Sequence, residues 1–130
     1  MKVAFTSSNG AAIDEHFGTA RSFFVWEIAA DQAKLVAVIP APSRDDDDEE
    51  DRIAARASLL SDCAIVYTMQ IGGPAAAKLV ARRILPLRTI SLVPVAKVVS
   101  QLQEVLNGKV PPWLRKAINR GLATTPATAA

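Results

Sequence analysis

The sequence is poor in the side chains that build disulfides and metal sites. Its 130 residues include one cysteine, Cys63, and one histidine, His16. A single thiol cannot form an internal disulfide, so a reducing, cytoplasmic location is the expectation. One imidazole and one thiolate are too few to assemble a zinc site or an iron–sulfur cluster. A metal cluster bound here would therefore be one assembled elsewhere, with its irons already bridged by sulfide.

Long apolar runs are also lacking. The first ten residues, MKVAFTSSNG, do not read as a signal peptide. The longest uncharged internal stretch, residues 63–77, is short and contains Gly72, Gly73 and Pro74, so no membrane partner is expected. Half of the residues are apolar and 22% are charged, which is typical of a single globular domain at this length.

The small net charge of +2 conceals two oppositely charged halves. Residues 1–65 carry 12 acidic and 6 basic side chains, whereas residues 66–130 carry 1 acidic and 9 basic ones. Seven of the acids are contiguous, at residues 45–51, between Arg44 and Arg52. Such a block favours a solvated loop or the start of a helix. The basic second half favours an anionic partner.

The hydrophobic pattern predicts three strands, then helices alternating with strands. The predicted strands are residues 2–7, 22–28, 34–39, 64–69 and 87–92. The predicted helices are residues 49–61, a segment that begins at Pro74, residues 95–106 and residues 112–119. In the second helix Val80 and Ile84 are expected to face inward, and Pro86 is expected to stop it. Trp113 is expected to anchor the last helix. This order predicts a single α/β domain over residues 1–120, with a hairpin-extended mixed sheet and flanking helices. Residues 121–130 are expected to be disordered.

The connection after the first strand carries the most unusual motif. Residues 13–18 read Ile-Asp-Glu-His-Phe-Gly and place the only histidine between two acids and a glycine. Loops at the carboxyl end of parallel strands commonly bind ligands. Asp14 or Glu15 is able to orient the imidazole of His16, and Gly18 allows a ligand to approach the backbone. A lone loop histidine also serves as a cap or core residue, so both interpretations stay open.

Other candidate residues have a structural and a functional interpretation. Cys63 lies between a helix and a buried strand, where it acts as a small core residue or as a soft ligand. Gly72 and Gly73 form a turn or an anion-binding cradle at a helix start. The basic residues near the end of the chain line a groove or cover an exposed helical face: Arg115, Lys116 and Arg120.

Several segments together resemble one known family. They are IDEHFGTA at residues 13–20, DCA at 62–64, IGGPAA at 71–76, LQEVL at 102–106 and PPWLRKA at 111–117. These segments are similar to the nitrogenase iron-molybdenum cofactor biosynthesis family, whose branches include NifX, NifY, NafY and the C-terminal domain of NifB. The last segment is similar to the NifX branch, and the resemblance extends over residues 2–120.

The resemblance implies a ribonuclease H-like fold and a non-catalytic carrier or storage role. The cargo would be iron–sulfur precursors of the cofactor, bound transiently, made by NifB and passed to the NifEN scaffold. His16 would be the cluster ligand. The other residues assigned to cofactor binding are Phe17, Gly18, Arg21, Cys63, Gly72, Gly73, Arg115 and Lys116. Arg82, Arg83 and Arg120 are further candidate cations.

Two alternatives come from the fold class and the basic second half. A ribonuclease H-like nuclease needs several carboxylates that converge on the sheet, and the strands at residues 2–7 and 64–69 contain none. A nucleic-acid-binding module needs aromatic side chains among its cations, and Trp113 is the single one near them. The carrier interpretation is therefore preferred, with no nucleic-acid partner.

Overall fold

In the computed structural model of the chain, residues 1–41, 49–108 and 110–116 are described. The strands are β1 (Lys2–Thr6), β2 (Ala12–Ile13), β3 (Ser22–Ile28), β4 (Ala33–Pro40), β5 (Ile65–Thr68), β6 (Leu85–Arg88) and β7 (Val93–Pro94). The helices are α1 (Glu49–Leu59), α2 (Gly73–Ala81) and α3 (Val95–Asn107), and residues 112–116 form a further short helical segment.

The main sheet has the strand order β4-β3-β1-β5-β6. Strand β1 pairs antiparallel with β3, which pairs antiparallel with β4. On its other side β1 pairs parallel with β5, which pairs parallel with β6. The parallel strands are joined through helices, as parallel neighbours require. This arrangement confirms the predicted α/β class, with a mixed five-stranded, hairpin-extended sheet of the ribonuclease H-like type.

Helices cover both faces of the sheet, and one apolar cluster lies on each face. One cluster joins the sheet to α1 and α2, and it includes Ala4, Phe17, Phe23, Val25, Ile53, Ala57, Leu60, Val66 and Leu79. The other joins the sheet to α3, and it includes Val3, Phe5, Ile65, Val95, Val98, Leu102 and Leu114. Successive residues of β1 and β5 belong to one cluster and then to the other, because side chains along a strand point alternately to the two faces of the sheet.

The end of α2 differs from the sequence prediction. The helix ends at Ala81, because Arg82 caps it and Arg83 takes up a left-handed backbone conformation with φ 64°. Pro86 therefore does not stop the helix but lies inside β6, an edge strand in which a missing N–H is tolerated. The predicted strand at residues 87–92 is wrong in its bounds, and Val80, predicted to face inward, is about half exposed.

The structure also contains a two-stranded sheet that the sequence pattern does not predict. Strands β2 and β7 pair antiparallel, with Ile13 opposite Val93, and the Val95 amide donates to the Ala11 carbonyl at 2.9 Å. Strands of two residues have no hydrophobic period, so the sequence pattern does not reveal them. The pairing ties the loop before His16 to the start of α3.

In the last described segment, the residue that packs into the core is not the predicted one. Leu114 is fully buried against the α3 side of the sheet, whereas Trp113 is 44% exposed. The rest of the helix predicted for residues 112–119, the tail at 121–130, and most of the acidic run lie outside the described residues. None of the helices in the described part combines the length and apolar character that a bilayer crossing requires.

Candidate functional site

The loop that carries His16 crosses the carboxyl end of β5. His16 pairs with Gln70 in an isolated parallel bridge. The Phe17 amide donates to the Gln70 carbonyl at 2.8 Å, and the Met69 amide donates to the Glu15 carbonyl at 3.1 Å. These bonds extend the parallel ladder of the sheet beyond β5. The backbone of His16 is thus fixed at the sheet edge where ligands bind in open α/β folds.

Two buried threonines support this loop from below. Thr6, at the end of β1, and Thr68, at the end of β5, are both fully buried, with their hydroxyl oxygens 3.0 Å apart. The Thr6 hydroxyl lies 2.9 Å from the Glu15 carbonyl, and the Thr68 hydroxyl lies 3.1 Å from the Gln70 carbonyl. The residues that flank the His16–Gln70 bridge are therefore held by polar contacts inside the protein.

The turn after His16 separates an exposed imidazole from a buried phenyl ring. The His16 carbonyl accepts a hydrogen bond from the Ala20 amide at 2.9 Å, while the His16 side chain is exposed. The Phe17 ring is fully buried, with its centroid 5.6 Å from that of Phe23. Phe17, predicted to take part in binding, therefore anchors the loop in the core, and its ring does not face a ligand.

The acid neighbours of His16 do not orient its ring. The Asp14 carboxylate accepts hydrogen bonds from the Ser8 amide at 2.8 Å and from the Ser8 hydroxyl. Asp14 is thus committed to the preceding loop, and the prediction that it orients the imidazole is wrong. Within the described ranges, no side chain forms a hydrogen bond with the His16 ring.

A cavity of about 220 Å³ adjoins the turn after His16. It lies where this turn, α1 and the start of α2 meet, and its lining residues are Gly18, Thr19, Arg52, Ile53, Gly72, Pro74 and Ala75. A Cβ atom added to Gly18 or Gly73 would meet no atom within 4 Å. The space above these backbones is therefore open to a ligand. Of the residues predicted from the sequence, Gly18 and Gly72 line this cavity, while His16 precedes Gly18 by two residues and Gly73 directly follows Gly72.

The wall formed by α2 and Arg52 favours an anion. Gly72 is the N-cap of α2, none of the described side chains caps the helix, and its first turn contains no acid. The exposed positive end of the helix dipole consequently points to the cavity. The Nε atom of Arg52 is buried and has no hydrogen-bond partner in the described part of the chain. The Arg52 side chain also lines the cavity, so its positive charge adds to that of the helix end.

Arg56 lies one helical turn after Arg52 and supports the same loop. Its guanidinium is buried and donates to the Phe17 carbonyl at 3.1 Å and to the Ala20 carbonyl at 2.8 Å. The sequence pattern does not single out Arg52 or Arg56, because both follow the acidic run and read as charges that balance it. Their spacing of four residues places both on one face of α1, but this pattern does not reveal what that face contacts.

The structure separates Cys63 from His16. Cys63 precedes β5 and lies at its amino end, whereas His16 bridges to Gln70 beyond its carboxyl end. The thiol is 3% exposed, and burial, with a smaller contribution from Asp62, raises its pKa to about 12. A thiol in this state is a poor ligand, because metals bind the thiolate.

The remaining predicted cations occupy different parts of the surface. Arg21 is exposed and directly precedes β3 at the same sheet edge as His16. Arg115 and Lys116 follow Leu114, which packs on the α3 side of the sheet, opposite the cavity. Arg82 and Arg83 follow α2 at the amino end of the parallel strands, and Arg120 lies outside the described residues. The structure therefore does not bring Arg82, Arg83, Arg115 or Lys116 to the His16 edge.

A second cavity, of about 410 Å³, lies between α1 and α2. Its lining residues are Glu50, Ile53, Pro74, Ala77, Lys78 and Ala81. The charged groups in this lining, Glu50 and Lys78, are 4.0 Å apart and pair with each other. The smaller cavity is the candidate site, because its lining includes the turn that directly follows His16. Among the described residues, no three or more His, Cys, Asp or Glu side chains form a group that could hold a metal ion.

The model of the dinitrogenase iron-molybdenum cofactor family matches residues 1–105. The chain belongs to this family. Among curated relatives, it is 40% identical to the protein NifY of Azotobacter vinelandii over 119 residues, which are 91% of this chain and 48% of that protein. It is 36% identical to the protein NifX of Herbaspirillum seropedicae over 122 residues, 93% of this chain and 84% of that one. The chain thus spans about half the length of that NifY and most of that NifX.

A solved structure supports the fold independently. The crystal structure of PH0822 superposes with a TM-score of 0.64 at 20% identity, covering 80% of this chain and 91% of that one. At this identity the similarity concerns the fold alone. Membership of the dinitrogenase iron-molybdenum cofactor family associates the chain with nitrogen fixation and with biosynthesis of this cofactor.

Proposed function

We propose that this family member is a non-catalytic carrier of an iron–sulfur precursor of the iron-molybdenum cofactor. The observation that carries the proposal is the position of His16. The only imidazole of the chain is exposed at the carboxyl edge of the sheet, beside a cavity lined by Arg52 and the start of α2. A nitrogen donor and an anion-binding wall at one place suit an anionic metal cluster.

In this proposal His16 donates a ring nitrogen to an exposed iron of the cargo. Arg52 and the free backbone amides at the start of α2 offset the negative charge of the cluster. The open space above Gly18 and Gly73 allows the cluster to approach the backbone closely. Arg21, exposed at the same edge, adds positive charge at its rim.

The proposed transfer follows from the number of ligands. A single imidazole holds the cluster less firmly than a site with several protein ligands, so the cargo moves to a scaffold that offers more of them. We propose NifB as the source of the cluster and NifEN as the receiving scaffold, by resemblance to the family. Cys63, Arg115 and Lys116 have no part in this scheme, because they lie away from His16.

The test is an anaerobic titration of the purified protein with the cluster made by NifB, followed by optical and electron paramagnetic resonance spectra. His16→Ala is expected to lower the affinity at least about tenfold and to change the spectra. Gly18→Ala is expected to weaken binding without loss of stability, because the added methyl enters the open space. Cys63→Ala is the matched control and should bind as the wild type does. Unchanged affinity and spectra in His16→Ala would overturn the proposed ligand, and no binding by the wild type would overturn the carrier role.

A further inference from the structure

Arg56 connects α1 to both ends of the turn that follows His16. Its Nη1 donates to the carbonyls of Phe17 and Ala20, at 3.1 and 2.8 Å. The guanidinium carbon also lies 6.0 Å from the centroid of the Phe23 ring, on which Phe17 packs. Arg56 itself is 5% exposed. One buried cation therefore bonds to the backbone of the loop and lies beside the ring on which Phe17 packs.

We infer that Arg56 is a positioning residue, which sets the direction of the His16 imidazole and the opening of the cavity at Gly18 by fixing these two carbonyls. The inference rests on the proposed function for its effect on cargo binding. Its effect on the loop can be measured without any cargo.

The inference depends on how few contacts fix the turn. Within the turn, the Ala20 and Thr19 amides donate to the His16 carbonyl at 2.9 and 3.3 Å, and these bonds move with the turn. The Phe17 amide ties one end to Gln70 in the sheet. At the other end, the Ala41 amide donates to the Arg21 carbonyl at 2.9 Å, just before β3 begins. Arg56 bonds the carbonyls of Phe17 and Ala20 between these two ties, and charged donors form stronger hydrogen bonds than neutral ones. Without Arg56, the residues between the two ties lose their bonds to α1.

Arg56 also affects the charge at the cavity. Burial, above all, lowers the pKa of Arg56, the neighbouring charge of Arg52 lowers it further, and Glu15 acts in the opposite direction. Two cations one helical turn apart repel each other. A bound anion on the Arg52 wall reduces this repulsion, so positioning and charge act in the same direction on an anionic cargo.

The test compares Arg56→Met and Arg56→Lys with Arg82→Gln, which removes an exposed arginine at the opposite edge. Amide hydrogen exchange reports on the turn, and the imidazole resonances are unambiguous because the chain has one histidine. In Arg56→Met, we expect the Phe17 amide, which donates to the Gln70 carbonyl, to exchange at least about tenfold faster than in the wild type, relative to amides of β1. The imidazole signals should shift, and cluster affinity should fall at least about tenfold. Arg56→Lys, which keeps the charge without the planar fork, should be intermediate.

The outcomes separate this inference from the carrier role. If exchange and imidazole signals match those of Arg82→Gln, the inference is overturned whether or not a cluster binds. If the turn loosens but affinity is unchanged, the link from Arg56 to cargo is overturned. If the wild type binds no cluster, the proposed function fails, while the exchange data still show whether Arg56 holds the turn in place. Should Arg56→Met fail to fold, Arg56→Lys carries the same comparison.

Discussion

The hydroxyl pair under the His16 loop gives a quantitative test of how the site is built. The hydroxyls of Thr6 and Thr68 supply two protons for their mutual contact and for the carbonyls of Glu15 and Gln70. Each hydroxyl has one proton, so in a given arrangement one threonine donates to the other's oxygen and the second donates to a backbone carbonyl. Both residues are fully buried, and water does not replace a lost partner.

Replacing either threonine by valine keeps the β-branched shape and removes only the hydroxyl. The carbonyl partners are not fully orphaned, because Glu15 still accepts from the Met69 amide and Gln70 from the Phe17 amide. We therefore expect Thr6→Val and Thr68→Val each to lower the free energy of unfolding by about 1–2 kcal/mol, the lower part of the range for buried hydrogen bonds. The double variant should lose about 1 kcal/mol less than the sum, since the bond between the two hydroxyls is lost once.

Urea unfolding followed by circular dichroism measures these differences, and Thr89→Val is the matched control. The Thr89 hydroxyl oxygen is buried but has no hydrogen-bond partner among the described residues. Its removal should be neutral or stabilising by up to about 1 kcal/mol. The argument would be refuted if Thr6→Val and Thr68→Val behaved like Thr89→Val, or if their effects were strictly additive.

Three further predictions concern Cys63, Tyr67 and Gly10. The Cys63 thiol should resist alkylation at pH 8 in the native protein and react once urea unfolds it, because burial raises its pKa to about 12. Burial also raises the pKa of Tyr67 to about 12. Because the folded protein favours the neutral forms of Cys63 and Tyr67, the free energy of unfolding should be highest below about pH 9 and decline between pH 9 and 12. A pH series of urea midpoints measures this decline. Gly10→Ala should cost about 1–2 kcal/mol, since Gly10 has φ 82° and the new Cβ would lie 2.8 Å from the Phe24 ring, whereas Gly18→Ala should cost little in the same assay.

The sequence allowed the sheet to be predicted because its strands have clear local signals. The alternation in residues 22–28 and the apolar run in β5 are bounded by turn residues, and the order of elements then limits the topology. The end of α2 was missed for a local reason as well. A left-handed Arg83 ends the helix, and arginine is not a residue that signals this conformation, as glycine would.

Part of the candidate site could likewise be predicted from the sequence, and part could not. The position of His16 at a ligand-binding edge could be predicted, because it depends only on the loop that follows a central strand. The roles of Arg52 and Arg56 could not, because they depend on how α1 packs against the loop. Arg56 meets Phe17 from 39 residues away in the chain. Such a contact exists only after the sheet and α1 have come together, and no local pattern encodes it.

The contrast between the backbone and the side chain of His16 bears on how a carrier works. The backbone is held by Gln70 from the sheet and, through the next residues of the turn, by Arg56 from α1. Its imidazole is exposed, and no side chain in the described part of the chain forms a hydrogen bond with it. A fixed backbone lowers the entropy cost of binding, because the donor is already in place when the cargo arrives. An imidazole that is not hydrogen-bonded to a carboxylate is a weaker donor than one that is, which favours release of the cargo.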